Sequence, residues 1–184
     1  MEHKHIMNRI RNGEEGAFAL LVSPYIDRAY RTSYSILRSR DQAEEVVQNA
    51  MIEAYQNIME GKDINFFPTW FNRLVSHRSI DVIRKNARLK EESWEPHHQG
   101  THQGVMETIL QEETNHEIVK GIHSLENTDY RNVLLLYYYQ GFSVQEVAEM
   151  LRLNLSTVKS HLRRARNVLK DRLIKNQVIG VDSK

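Results

Sequence analysis

The sequence predicts an all-α protein built as two small helical domains, and three observations support this prediction. Glycine and proline are scarce, with 8 and 3 occurrences in 184 residues, and nowhere do apolar and polar residues alternate between turn signals as they do in strands. Apolar residues instead recur every three or four positions, which is the period of an amphipathic helix. A polar segment with one proline and two glycines, EESWEPHHQGTHQG at 91–104, interrupts this pattern and is predicted to be a flexible linker.

The first predicted domain spans residues 1–90 and contains three helices, each with its own apolar face. The apolar face of the first helix consists of Tyr25, Ile26, Ala29, Tyr30, Ser33, Ile36 and Leu37. That of the second consists of Val46, Val47, Ala50, Met51, Ala54, Tyr55 and Ile58. The third begins at Pro68 and Thr69. Its inward residues are Trp70, Phe71, Leu74, Val75, Val82 and Ile83. The stretch 61–67 between the second and third helices is therefore predicted to be a loop with two aromatic residues.

The second predicted domain spans residues 105–184 and ends in a helix-turn-helix. Residues 133–139 are apolar nearly all round, which predicts a buried helix. Ser143 precedes the next helix, predicted at 144–151, and Glu146 follows three residues later, which is the spacing of a capping box. A polar break at 152–154 then leads into a long last helix. Its apolar face consists of Leu155, Val158, Leu162, Ala165, Leu169 and Leu173.

The composition excludes several classes of protein. Because the chain has no cysteine, it cannot form a disulfide scaffold, a cysteine-ligated zinc site, an iron–sulfur cluster or a thiol nucleophile. No stretch approaches the run of about 18 apolar residues that a membrane span needs, and the amino terminus lacks the apolar core of a secretory signal. We therefore expect a soluble cytoplasmic protein, and no cofactor is indicated.

Charge is nearly balanced overall, at +1, but it is segregated along the chain. Residues 41–60 contain five acidic and no basic residues, and residues 91–131 contain nine acidic residues against two basic ones. Two basic segments alternate with them: residues 73–90 contain six basic residues and one acidic, and residues 152–175 contain eight and one. Two basic helices with distinct apolar faces favour contact with an elongated polyanion such as nucleic acid.

The helix-turn-helix pattern is the strongest functional signal. With its apolar face buried, the last helix must direct basic and hydroxyl side chains outward, namely Lys159, Ser160, Arg163, Arg164 and Arg166. Arginine can donate two hydrogen bonds to guanine in a major groove, while lysine and serine can reach bases or phosphates. The alternative is a basic amphipathic helix that only packs and is solvated.

Three segments resemble a known family. SVQEVAEMLRLNLSTVKSHLRRARNVLKDRL, preceded by YRNVLLLYYYQGF, is similar to region 4 of the extracytoplasmic-function (ECF) sigma factors of bacterial RNA polymerase. DQAEEVVQNAMIEAY resembles a region 2 helix of that family, and TWFNRLVSHRSIDVIRKNAR resembles the segment after it. The matches occur in family order and cover most of the chain. The resemblance implies a non-enzymatic, alternative-type sigma factor that recognises −35 and −10 promoter elements and promotes DNA melting.

The resemblance assigns roles to matched positions on three surfaces. Contact with the −35 element falls to Thr157, Lys159, Ser160, Arg163, Arg164 and Arg166. Contact with the −10 element falls to Lys62, Asn65, Phe66, Phe67, Arg73, His77, Arg84, Lys85 and Arg88. Contact with the β′ clamp of core RNA polymerase falls to Asp41, Glu44, Glu45, Val47, Gln48 and Asn49. The family also leads us to expect the β flap of the polymerase, promoter DNA and an anti-sigma factor as partners.

Simpler interpretations stay open for two of these surfaces. The acidic helix at 41–60 could be only a solvated face. The rings of Phe66 and Phe67 could fold back on the core, where Trp70 is also expected.

Some positions depart from the family pattern. Glu126 stands where proline is usual, and Arg152 and Ser156 stand where glycine is common, so the turn must form without it. His77 replaces the usual asparagine in the promoter-melting segment, which bears on the preferred base there.

Two other classes of protein compete with the sigma-factor interpretation. A helix-turn-helix repressor would explain the second domain but would leave the acidic helix and the basic segment of the first without a role. An enzyme could use His97, His98 and His102 with Glu95 as metal ligands, but these residues lie in the polar linker, where nothing orients them.

Overall fold

The chain forms two compact helical units, residues 1–100 and 101–184. The computed structural model describes the backbone of residues 2–92 and 113–181, and the side chains of residues 3–89 and 118–172. Within these ranges every regular element is a helix, which confirms the predicted fold class. None of the described helices has the length and hydropathy needed to cross a membrane.

The first unit is built from helices whose ends follow from local sequence. They are α1 (Glu2–Arg11), α2 (Ala17–Val22), α3 (Ile26–Leu37), α4 (Arg40–Met59) and α5 (Phe67–Glu92), with a 3₁₀ turn at Ser23–Tyr25. Ser39 is the N-cap of α4, and its hydroxyl accepts a hydrogen bond from the backbone N–H of Gln42 at 3.4 Å. Pro68 lies in the first turn of α5, where its missing N–H removes no helical hydrogen bond.

The core of the first unit is formed largely by α3, α4 and α5. Its fully buried side chains on α4 and α5 include Val46, Ala50, Ala54, Ile58, Phe67, Phe71 and Val75. Small hydroxyls line the contact between α3 and α5: Thr32 donates to Asn72 Oδ1, and the hydroxyls of Ser33 and Ser79 are hydrogen-bonded to each other, both at 3.0 Å. Ser76 and Ser79 also donate to the carbonyl oxygens four residues earlier, at 2.9 and 2.8 Å. Because these groups are hydrogen-bonded, their burial carries little penalty.

The second unit contains the predicted helix-turn-helix. Its described helices are α6 (Glu113–His123), α7 (Thr128–Leu134), α8 (Val144–Leu151) and α9 (Leu155–Val181), with a π-helical turn at Leu135–Tyr139. The predicted capping box is confirmed: the Ser143 hydroxyl accepts from the Glu146 N–H at 3.2 Å, and the Glu146 carboxylate accepts from the Ser143 N–H at 2.8 Å. The main buried residues are Val133, Leu134, Leu135, Leu136, Val147, Met150, Val158 and Leu162.

The structure differs from the sequence prediction at several points. The sequence pattern does not indicate α1 or α2, because helices of 10 and 6 residues are too short for a clear periodic signal. Tyr55 and Leu155, predicted to face inward, are each 43% exposed. Tyr138 in the predicted buried helix is exposed, because the π turn displaces it from the α-helical face. Residues 93–112 lie outside the described residues, and they include most of the predicted linker.

Candidate nucleic-acid and protein interfaces

The turn between α8 and α9 is closed by hydrogen bonds from two consecutive N–H groups. Arg152 has a left-handed backbone, with φ of 54°, and its N–H donates to Glu149 O at 3.2 Å. The N–H of Leu153 donates to Ala148 O at 2.9 Å, which completes a Schellman motif. Glycine is the residue best suited to this conformation, so the structure gives a physical reason for the glycine that is common in the family at this position.

The first turns of α9 present the side chains predicted to contact the −35 element. Val158, Leu162 and Ala165 are buried beneath them and fix the orientation of the helix. Lys159, Arg163, Arg164 and Arg166 are exposed, whereas Thr157 and Ser160 are half-buried. In the part of the chain that the structure describes, Lys159, Arg163 and Arg164 make no ion pair. Their charges therefore face solvent from one helical surface.

Arg166 differs from these side chains because it is anchored. Its Nε donates to Leu162 O and its Nη1 donates to Tyr138 Oη, both at 3.3 Å. The π turn places Tyr138 beside α9, with 51% of the residue exposed. A tyrosine hydroxyl can donate to phosphate, so Tyr138 joins Arg166 as a candidate backbone contact. Sequence reasoning missed Tyr138, since nothing in the run Tyr137–Tyr139 tells which ring faces outward.

The loop between α4 and α5, residues 60–66, is predicted to contact the −10 element. It begins with a second Schellman motif: Gly61, at φ 76°, donates to Ile58 O, and Lys62 N–H donates to Asn57 O, both at 3.0 Å. At its other end Phe66 is 61% exposed. Phe67, the first residue of α5, has no exposed surface and stacks on Phe71 with ring centroids 5.5 Å apart. The assignment of Phe67 to the −10 surface is therefore corrected: a fully buried ring cannot stack on a base.

The polar side chains of this loop are exposed and hydrogen-bonded. Lys62 Nζ donates to Asn57 Oδ1 at 2.5 Å and lies 3.1 Å from a Glu60 carboxylate oxygen. Asn65 Nδ2 donates to Asp63 Oδ2 at 3.3 Å. Trp70, which follows the loop on α5, is half-buried and packs against the core, as predicted. The loop thus presents one exposed aromatic ring, that of Phe66, directly after the carboxamide of Asn65, with Lys62 nearer the start of the loop.

A basic stripe continues from this loop along α5. Arg73, His77, Arg84 and Arg88 share one helical face because they are spaced by four, seven and four residues, and Lys85 lies beside that face. Arg84 is ion-paired with Asp81 at 2.8 Å. All of these side chains are exposed except that of Arg84, which is half-buried.

Two groups on α5 have shifted pKa values. Partial desolvation lowers the pKa of His77, with neighbouring arginines adding to the effect and Asp81 opposing it. Arg78 donates to both Glu53 carboxylate oxygens, at 2.7 and 2.6 Å, and to Asp81 at 3.1 Å. This arginine lowers the pKa of Glu53 and its own pKa is raised. Arg78 therefore joins α5 to α4 instead of extending the basic stripe.

The exposed face of α4 carries most of the residues predicted to contact polymerase. Asp41, Glu44, Glu45, Gln48 and Asn49 are all exposed. The assignment of Val47 is corrected, because its side chain is 4% exposed and belongs to the hydrophobic core.

The same face of α4 becomes apolar toward its C-terminal end. Ile52, Tyr55 and Met59 are exposed there by 43–56%. An apolar patch beside an acidic one is typical of a protein-binding surface. Sequence reasoning missed Ile52 and Met59, because single apolar residues outside a helical stripe carry no signal of their own.

No group of three histidine, aspartate or glutamate side chains that could hold a metal comes together within the described residues. The histidines considered as metal ligands, His97, His98 and His102, lie outside that part of the chain, as does Glu95.

Comparison with known proteins identifies the family. The sigma-70 region 2 family model matches residues 21–89, and the sigma-70 region 4 model matches residues 127–169. The ECF RNA polymerase sigma factor SigW of Bacillus subtilis is 32% identical over 181 residues, which cover 92% of this chain and 96% of SigW. The chain belongs to the ECF sigma factor family.

Other relatives agree with this assignment. The ECF RNA polymerase sigma-E factor of Haemophilus influenzae is 27% identical to this ECF sigma factor over 91% of the chain and 93% of its own length. Two solved structures share the fold. CnrH, in complex with the cytosolic domain of CnrY, gives a TM-score of 0.55 at 20% identity, covering 95% of this chain and 99% of CnrH. RpoE of Bartonella quintana, in complex with the anti-sigma factor NepR, gives a TM-score of 0.54 at 19% identity, covering 86% of this chain and 97% of RpoE.

Proposed function

We propose that this chain is an alternative sigma factor that binds core RNA polymerase, recognises −35 and −10 promoter elements and promotes DNA melting. The observation that carries the proposal is the match to SigW over nearly the whole of both chains, with regions 2 and 4 in family order. A helix-turn-helix repressor is not favoured, because it would need only the second unit. The acidic face of α4 and the loop and basic stripe of the first unit would then have no role.

We propose that α9 reads duplex −35 DNA. Lys159, Arg163 and Arg164 are exposed on one face and carry no internal ion pair within the described residues, so they can reach base edges without breaking a contact. Arg166 and Tyr138 flank that face and fit phosphate contacts. Thr157 and Ser160 are half-buried, which suits short hydroxyls that act close to the helix surface.

We propose that the loop 60–66 and the basic stripe of α5 engage the −10 element as it melts. An extruded base needs a ring to stack on and an amide to read its edge, and Phe66 and Asn65 provide these groups side by side. The stripe on α5 provides positive charge for the backbone of the melted strand through Arg73, Arg84, Lys85 and Arg88, and His77 lies on the same face. Because desolvation lowers the pKa of His77, the neutral ring is favoured, and it can contribute a hydrogen bond.

We propose that the exposed face of α4 docks on the β′ clamp of the polymerase. The acidic half of this face would repel DNA, whereas a basic protein surface would be attracted. The apolar half, Ile52, Tyr55 and Met59, supplies the area that a stable protein contact needs at its centre. The second unit is proposed to contact the β flap, as the family resemblance implies.

Reversal of two charges on α4 tests polymerase docking. In Glu44→Lys/Glu45→Lys, both changed side chains are exposed, so the fold should persist while affinity for core polymerase falls about tenfold or more, about 1.4 kcal/mol. The matched control is Glu15→Lys/Asp27→Lys, which makes the same charge change at two exposed acids of the same unit. Titration of fluorescent core enzyme with each variant measures the effect. Equal affinity of the α4 variant and the parent would contradict the docking face.

We also propose that an anti-sigma factor inhibits this protein. The solved structure of the sigma factor RpoE with the anti-sigma factor NepR supports it, since RpoE shares this fold. One inhibitor that covers both the polymerase-facing and DNA-facing surfaces would block the binding of core polymerase and of promoter DNA together. Affinity capture from the source cell should recover such a protein in addition to polymerase subunits, and recovery of polymerase subunits alone would count against it.

Sigma factors as a class are not enzymes, and we propose the same for this chain, with no cofactor. We further propose a cytoplasmic location, because core polymerase and promoter DNA are found there.

A further inference from the structure

Helix α1 lies outside the region 2 match, which begins at residue 21, yet it contacts the loop proposed to bind the −10 element. It does so at both ends of the loop. The contacts at the start of the loop involve Arg11, and those at its end involve Lys4 and His3.

Arg11 holds the start of the loop. Its Nε donates to Ile58 O at 2.9 Å, and its Nη2 donates to Lys62 O at 3.4 Å. Ile58 O also accepts the N–H of Gly61, so the guanidinium reinforces the Schellman motif that ends α4. A cation at exposed C-terminal carbonyls of a helix is stabilising, because those carbonyls carry partial negative charge.

Lys4 and His3 hold the end of the loop. Lys4 Nζ donates to Asn65 Oδ1 at 3.2 Å, while the Asp63 carboxylate accepts a hydrogen bond from Asn65 Nδ2 at 3.3 Å. A cation can bond only to the amide oxygen and a carboxylate only to the amide nitrogen, so the two charges set the rotation of the carboxamide. The ring of His3 hydrogen-bonds to Tyr25 Oη at 2.8 Å and meets the ring of Phe66 edge-on at 6.2 Å.

We propose that α1 is a positioning element for the −10 loop, and that Lys4 is a positioning residue which orients the Asn65 carboxamide for base recognition. This rests on the proposed function of the loop. Asn65 is exposed, and an exposed carboxamide without fixed neighbours can rotate and present either its oxygen or its nitrogen to a base. With Lys4 on its oxygen, one orientation dominates, so the loop prefers the base that matches it.

The experiment measures base preference with the full chain bound to core polymerase. The probe is single-stranded DNA with six randomised positions, and the enrichment of each base at each position is read by sequencing. We expect Asn65→Ala to reduce the preference at one position by about threefold to tenfold. Lys4→Met should reduce the base preference at the same position, whereas Lys4→Arg should retain most of it. The double variant Lys4→Met/Asn65→Ala should show the same base preference as Asn65→Ala alone.

Matched controls separate positioning from folding and from simple charge. His5→Gln changes an exposed side chain on the same helix that makes no hydrogen bond, ion pair or ring contact with the loop in the described structure, and it should leave the base preference unchanged. A direct phosphate contact by Lys4 would lower affinity for all sequences alike without changing base preference, and that result overturns the proposal. Loss of −35 preference or of thermal stability in Lys4→Met would point to a folding defect and would also count against it.

The remaining outcomes distinguish the proposal from the function on which it rests. If Asn65→Ala loses the preference and Lys4→Met keeps it, the loop reads the base but α1 does not position it. If Asn65→Ala itself has no effect, the proposed −10 role of this residue fails, and the positioning role of Lys4 fails with it.

Discussion

The basic surfaces of α5 and α9 look alike in sequence but differ in what their charges do. On α5, Arg78 is held by Glu53 and Asp81, and Arg84 is also paired with Asp81. On α9, Arg163 and Arg164 are exposed, with no ion pair among the described residues. The comparison teaches that a count of basic residues overstates the charge available to a ligand wherever acids on the same helix or on a neighbouring one are within reach.

The difference matches the DNA that each surface is proposed to bind. Duplex reading needs arginines that can enter a groove, and these must not be held elsewhere. Capture of a melted strand needs a well-fixed scaffold for stacking, and the ion pairs between α4 and α5 hold the two helices that carry the loop.

The largest expected effect comes from removing one of the unpaired arginines on α9. Arg164→Ala should lower discrimination at one −35 base pair by about 1–3 kcal/mol, about 5- to 150-fold, because a bidentate contact to guanine is lost. Phe66→Ala should instead slow promoter opening without changing −35 preference. Competition binding of holoenzyme to duplex −35 variants measures the first effect, and permanganate footprinting of the −10 region measures the second. Normal opening by Phe66→Ala together with unchanged preference in Arg164→Ala would refute this division of roles.

A smaller effect is expected at the turn before α9. Arg152 and Gly61 occupy the same left-handed position in two Schellman motifs, but only glycine adopts it without strain. Arg152→Gly should raise the free energy of unfolding by about 1 kcal/mol, whereas Gly61→Ala should lower it by a similar amount. Urea denaturation checks both values. If both substitutions changed the free energy of unfolding in the same direction, backbone strain would not distinguish the two turns.

The same Arg152→Gly variant sharpens the comparison of charges. Arg152 is exposed and directly precedes the recognition helix, so its charge can act on nearby phosphates. If it does, the more stable variant should bind all duplex sequences somewhat more weakly, with unchanged base preference.

The smallest expected effect is at Arg78. Because this arginine and Glu53 are both partly exposed, Arg78→Gln should lower the free energy of unfolding by only about 0.5 kcal/mol and leave DNA binding unchanged. The pKa of Glu53 is lowered in the folded state, so this stabilisation is present above the ordinary glutamate pKa of about 4.3 and is lost as the pH falls through the lowered value. Urea titrations at pH 7 and at pH 3 should therefore give a difference in the free energy of unfolding between parent and variant that is smaller at the lower pH. A difference that does not decrease with pH would contradict the ion pair as its source.

Local patterns in the sequence predicted much of the fold. The capping box of Ser143 and Glu146 and the bounds of α8 could be predicted because the interacting residues are close in sequence. The main helices of the first unit were also predicted from their apolar periodicity.

Burial at single positions was harder to predict, because it depends on distant parts of the chain. Phe66 and Phe67 are adjacent and identical in type, and only packing against α1 and Phe71 decides that one is exposed and the other buried. Val47 is a different case: the apolar periodicity of α4 predicted its burial, and only the family resemblance placed it on the candidate polymerase face. The contacts of α1 with the loop join residues that are far apart in sequence, 51 positions for Arg11 and Lys62 and 61 for Lys4 and Asn65, so no local pattern could reveal them.

The hydroxyl-lined contact between α3 and α5 has a mechanical consequence. Ser76 and Ser79 donate to carbonyl oxygens of their own helix, so their hydrogen bonds do not depend on the exact position of α3. A small slide of α5 along α3 would leave neither hydroxyl unsatisfied, whereas large interlocking side chains would resist such a shift. Such a shift would instead lengthen the two hydrogen bonds that cross this contact, Thr32–Asn72 and Ser33–Ser79, so these two bonds fix the register of α5 on α3.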